Sequence, residues 1–299
     1  MSEIRKHIAV SQVESGNGIL TYLTTELSAT PNDDGFPEIE ISTRNKNVQL
    51  ERHQVKSEIS QEQITDLGAH GINAIEMVES ALSNELIMSQ EKQIYKKIKL
   101  LGYESNRKLW TKLQLFANKW TGYIPMTDAS ESGSLIRNIR LLSNIIAASS
   151  RMGPARFVII SPGLLHHFAN ENGFNAVEHD SSMGISTGCI YKCGTYGDNL
   201  DILVNPSLRW TDKRVVIGRD TLNSDEGVYL VEHSEGPQYT RIDRVDHGSL
   251  IPMTETILSL RYGLVHTPNA SKNYITITCT EKKHNIITHI IDKYFKKKK

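Results

Sequence analysis

Residues 57–72, SEISQEQITDLGAHGI, join two segments of opposite periodicity, and neither segment carries enough apolar surface to bury itself. Before the junction, the alternation EIEIS, the turn-prone RNKN at 44–47 and then VQLERHQVKSEI predict a β-hairpin over 37–59 with two mostly polar faces. A lone two-stranded hairpin is marginal in water, so this one needs a surface beyond its own domain. After the junction the period becomes helical. Ser60 with Gln63 forms a capping-box pattern that opens a short helix, Asn73 with Glu76 repeats it where a longer one begins, and Gly68 and Gly71 mark the break between. Ile75, Val78, Leu82, Leu86, Ile94, Ile98 and Leu101 recur near helical spacing and leave a wide charged face that includes EKQIYKK. A helix over 73–101 would run about 40 Å, longer than a small domain is wide.

The other segments read as a mixed chain. Residues 1–36 form a polar arm with one apolar patch, ILTYL, ending in the loop-like PNDDGFP. A further helix is predicted in SLIRNIRLLSNIIAASSRM, with Leu135, Ile136, Ile139, Leu142, Ile145 and Ile146 on its apolar side and Gly153-Pro154 as its stop. ARFVIIS then reads as a buried strand, and Ser161-Pro162 offers a cap and first turn for GLLHHFANENG. Strands are expected at CIYKC, DILVN, RVVIG, GVYLVEH, PMTETILSLRYGLVH and NYITITC, and no internal repeat is present. This order predicts an α+β fold in which the strands of 155–240 form one unit.

Composition removes several functions. Lysine plus arginine total 34, matching aspartate plus glutamate at 34, so a chain of 299 residues carries no net charge. Dedicated nucleic-acid binders are far more basic, because each phosphate contact needs a cation. The closing IDKYFKKKK is the exception and reads as a solvated tail; the binding alternative predicts DNA affinity that vanishes when 293–299 are deleted. Three irregularly spaced cysteines favour free thiols in a reducing compartment. The N-terminus has no apolar signal region and no run approaches the ~18 apolar residues of a membrane span, so a soluble protein is expected.

Reactive clusters are weak. GISTG at 184–188 would make Ser186 a hydrolase nucleophile, with His266 and Asp243 or Asp246 as partners. That elbow requires a strand before it and a helix after it, whereas EHDSSM precedes it and strand-like CIYKC follows. Cys189 and Cys193 would stand roughly 13 Å apart on an extended strand, too far to share a zinc ion unless the chain bends tightly between them. His166 and His167 point apart if helical, and His284 and His289 lack ligand spacing. No phosphate loop or dinucleotide fingerprint occurs. No catalytic, cofactor-binding or metal residue is therefore assigned, and an enzyme is not expected; the serine hydrolase built on Ser186 is the alternative from another class. A large chain with a polar ribbon, a half-polar strut and no reactive cluster is better understood as a building block whose unpaired edges belong to neighbouring copies.

Three stretches carry a family resemblance. VQLERHQVKSEISQEQITDLGAHGINAIEMVESALSNELI resembles the extended-loop strand, acidic helix and spine helix of the major capsid proteins of tailed phages, T-even myovirus type, which have the Hong Kong 97 capsid fold. SNIIAASSRMGPARFVIISPGLL is similar to the helix, basic turn and strand leading into that family's axial domain. ETILSLRYGLVHTP resembles its late peripheral strand, with Arg261-Tyr262-Gly263 in place. Together they span 37–268; the glycine usual after the basic turn is replaced by Pro154-Ala155, and nothing beyond 281 has a counterpart.

The resemblance implies a Hong Kong 97-like architecture: an arm over 1–36, an extended-loop hairpin over 37–59, a peripheral domain with the spine helix over 60–153, an axial domain over 154–247, and a peripheral return with the tail over 248–299. It implies a structural protein without cofactors that self-assembles into the hexamers and pentamers of an icosahedral phage head around double-stranded DNA. An encapsulin-like compartment shell is the alternative within the fold. Implied partners are copies of itself, with portal, scaffolding protein, protease and decoration proteins, and no membrane. The implied location is the virion capsid, assembled in the host cytoplasm. The arm is shorter than in many members, which implies a mature form or scaffolding on another chain. The neutral charge suits a wall along which the genome slides. In the resemblance the hairpin lies over an adjacent subunit, the Gly68–Gly71 break lets it change angle, and Lys46 near its tip would be the donor if copies were joined covalently, which the T-even type does not rely on.

Overall fold

The computed structural model describes residues 3–14, 16–27, 39–113, 123–125, 132–169, 172–177, 188–197, 199–221, 225–245 and 252–280. The chain divides into two compact units: 1–96 with 184–189 and 221–270, and 97–183 with 190–220 and 271–299.

In the first unit the central strand is β13 (Pro252–His266), and its span is the one its alternation predicts. One edge of β13 pairs antiparallel with β4 (Glu51–Ser60) through ten residue pairs. β12 (Gln238–Val245) and β11 (Val228–His233) also pair with it antiparallel, at its beginning and its end. β1 (Ala9–Val13) runs parallel to β11 and completes the sheet. β2 (Asn17–Leu27) and β3 (Ile39–Gln49) form a separate two-stranded ribbon in which Asn17 pairs with Gln49 and Leu27 with Ile39.

The hairpin expected over 37–59 is therefore displaced. RNKN is not a turn: Arg44 to Asn47 lie within β3, each paired with a residue of β2, and the strand break falls at Leu50. Polar turn-formers are tolerated there because Arg44, Asn45 and Asn47 are exposed, and Thr21 donates a hydrogen bond to the Asn45 side chain at 2.9 Å.

α1 (Gln61–Ala69) opens with the predicted box: Ser60 Oγ accepts from the Gln63 N–H at 3.2 Å and the Gln63 side chain accepts from the Ser60 N–H at 3.2 Å. Gly71, at φ 73°, supplies the left-handed residue that ends α1, and Asn73 caps α2 (Ala74–Leu113) by accepting from the Glu76 N–H at 3.3 Å. α2 outruns its expected end near 101; its 40 residues span about 60 Å. A polar network fixes its first half: buried Gln90 donates to Glu232 of β11 at 2.9 Å, and Arg5 bridges the other oxygen of Glu232 at 2.7 Å.

The second unit is built on a seven-stranded mixed sheet. In sequence its strands are β5 (Tyr123–Pro125), β6 (Phe157–Ile160), β7 (Phe174–Ala176), β8 (Tyr191–Tyr196), β9 (Leu200–Val204), β10 (Arg214–Gly218) and β14 (Tyr274–Thr280). In space the order is β5-β14-β10-β6-β9-β8-β7, with β6 and β9 parallel. α3 (Ser132–Ser150) buries Leu135, Ile136, Ile139, Leu142 and Ile146 in one core with Val158, Ile160, Val204, Val215 and Ile277. Each such side chain contributes about 1.5–3 kcal/mol by leaving water. GLLHHFANENG yields only a 3-10 turn, Pro162–Leu164, and the single-turn α4 (His166–Ala169). Ser161 does not cap it; its hydroxyl donates instead to the Asp212 carbonyl at 2.6 Å.

The unit expected over 155–240 is thus redrawn. Strand 228–233 pairs with β13 and belongs to the first sheet, while β14, from the far end of the chain, enters the second through β10. The observed units divide at 96/97, 183/184, 189/190, 220/221 and 270/271, because pairing between distant segments decides membership and local pattern cannot show it.

Candidate assembly surface

The feature that most needs a partner is the β2–β3 ribbon. Eleven paired residues on each strand extend about 35 Å, and no third strand joins them among the described residues. Its anchorage is at the base. Gly18, Leu20 and Tyr22 alternate inward, and Leu20, Tyr22 and Val48 pack with Ala9, Tyr229 and Val231. Ile19, on the opposite face, is 65% exposed. The alternation in NGILTYL was the signal that would have placed this strand; its apolar patch read instead as part of an arm.

The Arg-Tyr-Gly of β13 explains how the base is seated. Tyr262 is buried and stacks on His53 of β4, with ring centroids 4.0 Å apart. Gly263 leaves the space through which the ribbon passes: a Cβ there would lie 2.8 Å from the Gln49 carbonyl oxygen and 3.1 Å from Val48. Arg261 is exposed. Lys46 is not near a tip. It pairs with Leu20 toward the base, and its ammonium donates to the His266 carbonyl at 2.7 Å, so it is engaged within its own unit and ill placed to bond to a neighbour.

Gly68 lies in the last turn of α1 and Gly71 between α1 and α2, and the strand before α1 is β4, held along its length by β13. The break cannot swing the ribbon as expected, since a locked strand intervenes. A second open edge is β12, where seven of eight residues are exposed, including Tyr239 and Val245. It is tied on one side to α2 by an Arg241–Glu79 ion pair.

Among the described residues, those weighed for chemistry do not converge. Ser186, Asp246, His284 and His289 lie outside the described residues. Asp243 accepts from Thr254 at 2.8 Å, twelve positions along β13 from His266, a separation of roughly 40 Å. Cys189, Cys193 and Cys279 are buried free thiols. Burial pushes the Cys193 thiol up to about 11 and that of Cys279 up to about 12, so both stay protonated and poor as nucleophiles or ligands. The His166 and His167 rings lie side by side, centroids 3.7 Å apart and tilted by 41°, instead of pointing apart, and burial lowers the pKa of His167, with the neighbouring imidazole adding to it. Among the described residues no group of three potential ligands could hold a metal ion.

Among the described residues, a two-stranded ribbon, a 40-residue helix and two mixed sheets without a reactive centre make up a fold of the Hong Kong 97-like class. The capsid of cyanophage P-SCSP1u matches with a TM-score of 0.56 at 10% identity, covering 94% of this chain and 89% of that one. Structures from Microbacterium phage Oxtober96 (TM-score 0.51, 12% identity, 93% and 91% covered) and Mycobacterium phage Bobi (0.51, 13%, 93% and 90%) share the fold. No curated protein sequence matches. The sequence matches the family of the major capsid protein Gp23 over residues 4–295, and the chain belongs to that family. It is a structural protein of the virion capsid that assembles with copies of itself, not an enzyme.

Proposed function

We propose that copies of this chain close an icosahedral head around double-stranded DNA as hexamers and pentamers, each laying its β2–β3 ribbon across an adjacent copy. The ribbon carries this reading: a two-stranded sheet seated at one end, with Ile19 exposed on its outer face, is stabilised only when a second surface covers it. In this arrangement the unit holding β13 and the ribbon serves as the peripheral domain and the unit with the seven-stranded sheet as the axial domain. A portal, scaffolding protein, protease and decoration proteins complete the particle, which forms in the host cytoplasm. Replacing residues 23–43 by a two-residue turn tests the reading. The expected product keeps the far-ultraviolet spectrum of a folded subunit but gives no shells in electron micrographs, whereas the parent chain gives shells; shells from the shortened chain would refute the role of the ribbon.

A further inference from the structure

The second unit carries a knob and a hole at opposite ends of the same two strands. The loop after β9 presents Trp210 with 72% of its surface exposed, the most exposed large apolar residue described. That loop is built to be rigid. Asn205 Oδ1 accepts from the Ser207 N–H at 3.0 Å, the Asp212 N–H donates to the Arg209 carbonyl at 2.9 Å, and the Asp212 carboxylate is gripped by Arg214 through Nε at 2.8 and 3.1 Å. The Asp212 carbonyl is in turn held by Ser161. Gly163 packs directly against the Trp210 carbonyl, so a side chain there would displace the loop. A rigidly held, solvent-facing tryptophan has the chemistry of an interface hot spot and little ordering cost on binding.

The hole lies where β6 and β9 begin. Arg140, Ser143, Pro154, Ala155, Tyr196 and Leu200 line a cavity of about 380 Å³ that opens to solvent, ample for an indole. The Arg140 guanidinium sits 4.9 Å from the centre of the Tyr196 ring, beside apolar Pro154, Ala155 and Leu200. Indole is the best aromatic partner for such a cation. β6 and β9 are parallel, so the loop at their C-terminal ends and the cavity at their N-terminal ends face opposite ways, roughly 15 Å apart.

We infer that Trp210 of one copy seats in the Arg140–Tyr196 cavity of the next, head to tail around a capsomer, an inference that rests on the capsid reading above. Knob and hole are different surfaces, so the contact is heterologous, and heterologous contacts close into rings when the rotation between copies permits. Neither surface pairs with itself, which favours five- and six-membered rings over two-fold dimers.

An Asn199→Cys/Thr211→Cys chain, with Trp210 kept, tests this, because both positions are exposed, one on the rim of the cavity and the other beside Trp210, and the three native thiols are buried. Treated with a short bis-maleimide during assembly, it should yield a denaturing-gel ladder ending at five and six copies, absent from either single variant. Trp210→Ala should lower the assembled fraction about tenfold or more with an unchanged far-ultraviolet spectrum, and Trp210→Phe should recover part of it. Shells from the double variant without the ladder, or a Trp210→Ala chain that assembles like the parent, would overturn the contact and leave the capsid reading standing. A parent chain that stays monomeric would overturn both.

Discussion

Alanine at Gly263 tests whether the ribbon base is seated as described. Two opposing effects follow from the substitution. Removing a glycine from a strand restricts the unfolded chain and favours folding by about 0.5–1 kcal/mol. Against this, the new Cβ would meet the Gln49 carbonyl at 2.8 Å and Val48 at 3.1 Å, and ordinary contact requires an opening of half an ångström or more. Gln49 is backbone in a paired strand and cannot rotate away, so relief comes only by moving the base of β3; overpacking of this kind costs about 1–3 kcal/mol. The balance is a loss near 1–2 kcal/mol, or roughly 3–6 °C in the Tm of unassembled subunits. Gly68→Ala is the control. It lies inside α1 with nothing within 4 Å of its Cβ, so helix propensity alone acts and the Tm should rise by a few degrees. Differential scanning calorimetry on subunits, with micrographs of assembly, reads both. A Gly263→Ala subunit as stable as the parent, assembling at the same rate, would refute the close passage of the ribbon over β13.

Two further outcomes are expected. Cys193 and Cys279 should resist iodoacetamide at pH 8 in the folded subunit and react within minutes in denaturant, as mass spectrometry would show, because burial holds both thiols protonated; rapid native labelling would contradict their placement. Asp212 is pushed up by burial but pulled further down by its hydrogen bonds and ion pair with Arg214 and by Lys99, leaving it below its ordinary value. Its contribution is therefore complete above the unfolded carboxylate value, about 3.9, and is lost as pH falls through the lower folded value. In urea titrations from pH 6 to 3, Asp212→Asn should flatten the decline in stability, and an unchanged slope would argue against the Arg214 grip.

What the residues disclosed locally was sound, and what depended on distant pairing was not. Both N-caps were legible because a capping box is written within four residues. PMTETILSLRYGLVH revealed its full length because one strand faces one core. EIEISTRNKNVQ misled because alternation with two polar faces describes a continuous ribbon strand as well as a hairpin, and its true partners lie 12 to 32 residues upstream. β14 looked like a peripheral return until its pairing with β10 placed it in the other sheet. The serine candidate lacks, in the chain itself, the strand and helix its elbow needs, and the cysteines are buried thiols. Trp210 passed unnoticed because a single tryptophan has no period, and only its exposure on a braced loop distinguishes it.

The passage from ribbon to sheet takes a single residue, Leu50, after which β4 lies antiparallel to β13 through ten consecutive pairs. Tension applied to the ribbon along the strand axis loads those pairs in shear, all together, and does not peel them one at a time. In the assembly proposed above, a subunit wired this way would meet such a pull from its neighbour with ten strand pairs resisting together.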